Sequence, residues 1–220
     1  ASPRGHRPPR RDRGTRTLLP PLRGLALPAS LQCGWLRDRA GQARALMRVY
    51  RLTRSQWVAR PLQRIFPFFA QPENLVLITP PSLGFRLLTP EPVNMEQGRH
   101  IDYTLRVLGL PTRWRTLISH YDPPHCFVDE QLAGPYSFWH HTHRFSEQRG
   151  GTLLEDEVHY ALPALLPWPV TGIVHTLYVR PMLVRIFDYR AQVYARLFGG
   201  SGSAAEPVAP AAMVRGEGVL

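Results

Sequence analysis

The chain has 220 residues, enough for one domain with a sizeable core plus tails. Its formal charge of +11 is uneven: residues 1–46 hold ten arginines and two aspartates, and residues 47–220 hold 17 arginines and 14 acids. The excess of +8 therefore sits in the N-terminal segment. The body, at +3, has no basic stripe with interleaved aromatics, which argues against nucleic-acid binding.

In chain order, residues 1–46 are rich in proline and arginine and show no sustained hydrophobic period. They read as an extension without a fixed fold, ahead of a domain that opens at Met47 with "MRVYRLTRSQWV". Residues 48–58 form the first expected strand, with Val49, Leu52 and Trp57 apolar. "RPLQRIFPFFAQPENL" (60–75) has Pro61 at a helix start and Leu62, Ile65, Phe66 and Phe69 at helical spacing. Pro67 should shorten or kink that helix, and "PENLVLIT" reads as a second short one. Strands are expected over 83–89, 100–108, 113–121, 125–132, 136–146 and 151–161, separated by turn-forming "TPEP", "GLP", "DPP", "AGP" and "RGG". A last helix runs to about Phe198, its stripe made of Leu183, Ile186, Phe187, Val193, Tyr194 and Leu197. The domain thus spans 47–198, and 199–220 is a low-complexity, disordered tail.

This order predicts an α+β architecture: a curved antiparallel sheet of about seven strands wrapped around a long C-terminal helix, with two short helices after the first strand. The space between sheet and helix is a natural pocket for an apolar ligand. No apolar run reaches membrane-spanning length; "ALLPWPVTGIVHTLYVRPMLVRIF" (164–187) is interrupted by three prolines, His175, Arg180 and Arg185. It could touch a membrane surface, particularly through Trp168, Val170 and Ile173. The two cysteines, Cys33 and Cys126, match no metal spacing and no disulfide framework. They read as free thiols of a cytoplasmic protein.

The wording of "FFAQPENLVLITPPSLGFRLLTP" (68–90), "IDYTLRVLGLPTRWRT" (101–116), "FVDEQLAGPYSFWHHTHRF" (127–145) and "FDYR" (187–190) resembles bacterial ligand-binding SRPBCC proteins. These belong to the START/Bet v 1-like superfamily and are related to polyketide cyclase/dehydrase and coenzyme Q-binding proteins. The resemblance covers roughly Met47–Phe198. It implies the helix-grip fold and a ligand cavity. It does not imply one reaction.

The stretch "GPYSFWHHTHRF" (134–145) concentrates three histidines. On a strand, Trp139, His141, His143 and Phe145 share one face, and Phe138, His140, Thr142 and Arg144 the other. The large aromatics place the first set inward and send His140 to solvent. Pairing across "AGP" sets Asp129 by His141 and Phe127 by His143. In the last strand, Asp156 joins the apolar face of Leu154, Val158 and Tyr160, while Glu155 and Glu157 read as a solvated face. Arg190 interrupts the apolar stripe of the last helix, so it is expected to pair with a sheet acid, Asp156 first.

The expected ligand-binding residues are Trp114, Gln131, Trp139, His141, His143, Phe145, Tyr160 and Arg190, with Trp57, Phe66, Phe69 and Phe85 as further apolar candidates. His141, His143 and Asp156 are the acid–base candidates if the protein is an enzyme, a cyclase or dehydrase. Two histidines at i, i+2 with Asp129 or Asp156 could hold zinc, but nothing fixes the third ligand. No metal and no cofactor is expected. The expected partner is a small hydrophobic ligand, with peripheral membrane contact as a further option.

Overall fold

The computed structural model describes residues 48–163 and 169–199. The N-terminal extension, the C-terminal tail from residue 200, Cys33 and Trp168 lie outside the described residues.

Strand β1 (Tyr50–Val58) is followed by helix α1 (Leu62–Phe69), a 3-10 turn at Pro72–Asn74, and the short helix α2 (Leu75–Ile78). Six strands follow: β2 (Arg86–Leu87), β3 (His100–Val107), β4 (Leu110–Asp122), β5 (Cys126–Ala133), β6 (Phe138–Gln148) and β7 (Gly151–Ala161). The chain ends in α3 (Val170–Val174), a π turn (His175–Val179) and α4 (Arg180–Phe198). The seven strands form one antiparallel sheet in the order β1-β7-β6-β5-β4-β3-β2. This is the expected helix-grip architecture.

Two differences have local causes. The expected strand at 83–89 shrinks to Arg86–Leu87, because Leu83 belongs to a 3-10 turn (Pro81–Leu83) and Gly84 follows it in left-handed backbone at φ 54°, which delays the ladder. The β4–β5 ladder shifts register at Arg115/Thr116 and again at Ile118/His120, and such irregularities bend a sheet. At the β6–β7 turn, Gly151 allows a close backbone approach: a Cβ there would lie 2.3 Å from the Val58 carbonyl oxygen.

The inner face carries the core. One group joins Leu62, Ile65 and Phe66 of α1 to Phe127, Phe145, Leu154 and Tyr194. A second joins Leu52, Trp114, Tyr136, Val158 and Tyr160 to Leu183 and Phe187 of α4. Pro67 sits inside α1, which ends within one turn of it.

The outer face is drier than alternation alone implies. His140 does face away from the cavity, but it is only 3% exposed, and Val128 and Thr142 beside it are also buried. Its Nδ1 lies 3.0 Å from Glu130 Oε1. Glu157 is buried too, gripped by Arg51 at 2.9 Å and Arg144 at 3.0 Å. The expectations of a solvated His140 and a solvated Glu157 are therefore corrected: both are buried and paired with charged side chains of neighbouring strands. Cys126, on the same face, is disulfide-bonded rather than free.

The π turn places His175 in the core. Its ring stacks on Tyr50 with centroids 3.5 Å apart, and its Nε2 is hydrogen-bonded to the Tyr160 hydroxyl at 3.0 Å. Burial, with Arg180 and Arg48 adding, pushes His175 down to about 4. The unfolded chain therefore takes up a proton near pH 6.5 that the folded chain refuses. Stability contributed by neutral His175 is full above about pH 6.5, falls as the pH drops toward 4, and is gone below. Urea midpoints should show an acid destabilisation of roughly 2–4 kcal/mol over that window, absent in His175→Gln. An equal slope in the variant would contradict the assignment.

Candidate functional site

A cavity lies between the sheet, α1–α2 and α4, and offers about 140 Å³ to the centre of a water-sized sphere. That is about ten times what one water needs. Its wall is mainly aromatic and aliphatic: Phe69, Phe85, Tyr103, Trp114, Tyr136 and Ile186 carry much of it. Among the polar side chains that reach it are two acid–base histidines, a carboxylate and a guanidinium: His141, His143, Asp129 and Arg190.

The register builds the polar part. Asp129 on β5 pairs with His141 on β6, and His143 pairs with Asp156 on β7. Alternation brings both histidines and both aspartates to the inner face of three adjacent strands. Each imidazole then bridges the two carboxylates. His141 Nε2 is 2.9 Å from Asp156 Oδ1, and its Nδ1 is 3.3 Å from Asp129 Oδ2. His143 Nδ1 is 2.9 Å from Asp156 Oδ1, and its Nε2 is 2.9 Å from Asp129 Oδ2. Trp139 Nε1 donates to the other Asp129 oxygen at 3.2 Å. Packing fixes the rings: His143 stacks on Phe127 with centroids 4.1 Å apart, and His141 meets Phe187 edge-on.

Electrostatics follow from this closed arrangement. Burial pushes Asp129 and Asp156 upward, and the two histidines outweigh it, holding both carboxyls far below the ordinary range. Burial pushes His143 down, and its bonds to Asp129 and Asp156 outweigh that and raise it.

Arg190 stands apart from this group. It is half-buried, its Nε is shielded from water without a hydrogen-bond partner, and its guanidinium lies 5.1 Å from the Phe187 ring centre. The expected Arg190–Asp156 pair does not form. Both aspartates are engaged by the histidines directly across the ladder, which leaves the helix residue without an acid among the described residues.

Of the residues expected from sequence, Trp114, Trp139, His141, His143 and Arg190 line the cavity, as do Phe69 and Phe85. Gln131, Phe145 and Tyr160 do not. Gln131 closes the β5–β6 turn, its Nε2 donating to the Tyr136 carbonyl at 2.6 Å. Phe145 is enclosed by Phe66 and Phe127, and Tyr160 is fully buried with its hydroxyl on His175. Trp57 and Phe66 are likewise off the wall: Trp57 donates to the Gln148 carbonyl at 2.8 Å, and Phe66 is core. Sequence reasoning missed Tyr103, Tyr136 and Tyr194 as wall residues. Tyr103 alternates inward with Ile101 on β3, a signal that was present, whereas Tyr136 precedes its strand and carried none.

No protein-family model matches the chain, and no curated protein matches it. Solved structures do. It is similar to TTHA0849 from Thermus thermophilus at 14% identity, over 70% of this chain and 99% of that one, with a TM-score of 0.54. It is also similar to a START superfamily protein from Mycobacterium smegmatis at 10% identity, over 68% and 97%, with a TM-score of 0.51. The fold is thus the START/Bet v 1-like helix-grip fold. Among the described residues, no helix is long and apolar enough to cross a membrane.

Proposed function

We propose that the protein binds a small hydrophobic or amphipathic ligand, of lipid, quinone or polyketide type, in the cavity between sheet and C-terminal helix. The observation that carries this reading is an aromatic wall interrupted by a guanidinium with no acidic partner among the described residues. Apolar area holds the ligand body, and Arg190 orients an oxygen-bearing end. A fluorescent fatty acid should bind the full chain more tightly than its methyl ester. Arg190→Met should remove that preference, weakening the acid by about tenfold and leaving the ester unchanged. Equal loss for both probes would show that Arg190 acts only through packing.

Acid–base catalysis of the cyclase or dehydrase kind is the alternative. Carboxylates lie within reach of His141 and His143, as that chemistry requires. However, all four ring nitrogens face those carboxylates, and none is turned toward a substrate. Binding is therefore the favoured reading.

Peripheral membrane contact is supported by one observation. Val170, Ile173 and Leu177 are exposed at i, i+3 and i+7, and exposed Leu108 and Leu110 lie on the turn whose Leu108 N–H donates to Tyr178. Ile173→Asp with Leu177→Asp should abolish co-sedimentation with phospholipid vesicles; unchanged sedimentation would remove this reading. The cytoplasmic placement rested on free thiols, and with Cys126 bonded that ground falls away.

A further inference from the structure

We propose that Asp129, His141 and His143 form a binding site for one divalent metal ion of the zinc class, with Asp156 as the carboxylate that orients both imidazoles. Asp129 Oδ2, His141 Nδ1 and His143 Nε2 converge from two adjacent strands, and one donor atom from each lies within 4.8 Å of the others. Around an ion bound at about 2.0–2.1 Å, ligand atoms lie about 3.3 Å apart at a tetrahedral angle and about 2.9 Å apart at a right angle; the two oxygen–nitrogen distances are 3.3 and 2.9 Å.

The far side of each ring supplies the second argument. His141 Nε2 and His143 Nδ1 both face Asp156 Oδ1 at 2.9 Å. A carboxylate on the far nitrogen fixes the N–H there and turns the near nitrogen's lone pair toward the ion. With the N–H of each ring directed at Asp156, the near nitrogens present their lone pairs to an ion held by Asp129 Oδ2; without an ion, a proton on a near nitrogen bridges it to that carboxylate. Trp139 Nε1–H on Asp129 Oδ1 holds the remaining ligand oxygen, so the carboxylate presents Oδ2 alone.

The choice of Asp129 over Asp156 as ligand comes from access. Asp129, His141 and His143 line the cavity, whereas Asp156 does not. The ion would keep open positions toward the ligand space. Two imidazoles and a carboxylate suit zinc(II), cobalt(II) or iron(II) better than magnesium or calcium. The other ionisable groups around this wall are Tyr103 from β3, Tyr136 just ahead of β6, and Tyr194 and Arg190 from α4. Arg190 opposes a cation, and the two carboxylates outnumber it.

The test is titration of the full chain, stripped with chelator, with cobalt(II) and then zinc(II). The expected result is one equivalent of cobalt with visible absorption bands, displaced by zinc. Asp129→Asn and Asp156→Asn should each weaken binding by about 10–100-fold. Should either variant fail to fold, imidazole nitrogen shifts of the unmodified chain decide: zinc should move His141 Nδ1 and His143 Nε2. Absence of stoichiometric uptake, unchanged affinity in folded variants, or shifts confined to other histidines would each overturn the site.

Discussion

Asp156→Ala, measured by urea unfolding in the presence of chelator, is expected to destabilise the protein by about 3–5 kcal/mol. Asp156 faces a nitrogen of both His141 and His143 at 2.9 Å, and all four members of the group are largely buried. Removal strands two imidazoles and leaves Asp129 to face them alone. Replacing His141 and His143 with phenylalanine and both aspartates with leucine should recover much of the loss, because a well-packed apolar group avoids desolvating charge. The pH dependence has two limbs. The aspartates, held low in the fold, contribute stability that is full above about pH 4 and lost as the pH falls below it. His143, held high, contributes stability that is full below about pH 6.5 and lost as the pH rises through its folded value. A loss under about 1 kcal/mol on Asp156→Ala would mean the group is solvated.

Ile186→Trp is expected to lower ligand affinity by at least about tenfold while the chain keeps its fold. Ile186 lies on α4, lines the cavity and is only partly buried. The larger ring can therefore enter the cavity without displacing packed core, where overpacking would cost about 1–3 kcal/mol. The cavity, at about 140 Å³ for the centre of a water-sized sphere, has little volume to spare. Retained affinity together with an unchanged melting temperature would place the ligand elsewhere.

The sheet and its histidines were legible because period two is rigid. Once Trp139 and Phe145 are assigned inward, His141 and His143 must follow, and the turn at "AGP" places Asp129 opposite His141. Helix periodicity was less informative about partners. It placed Arg190 toward the sheet but not beside an acid, since cross-strand histidines reach Asp129 and Asp156 first. Alternation also assigns a face without saying what covers it. His140 is outward yet buried against Glu130, and Cys126 on that face is disulfide-bonded, which no spacing in the chain announced. The π turn at His175 left no mark in composition, because the hydroxyl that accommodates it comes from Tyr160 on another element. Gln131 alternates inward but is claimed by its own turn, a local bond that face counting cannot register.

Native mass spectrometry of the freshly purified full chain tests the ligand-binding reading most directly. The account predicts a bound species of lipid, quinone or polyketide size, released on unfolding and missing from Ile186→Trp purified the same way. A bare chain mass, together with no saturable binding of fluorescent fatty acid, quinone or polyketide-like probes, would contradict it.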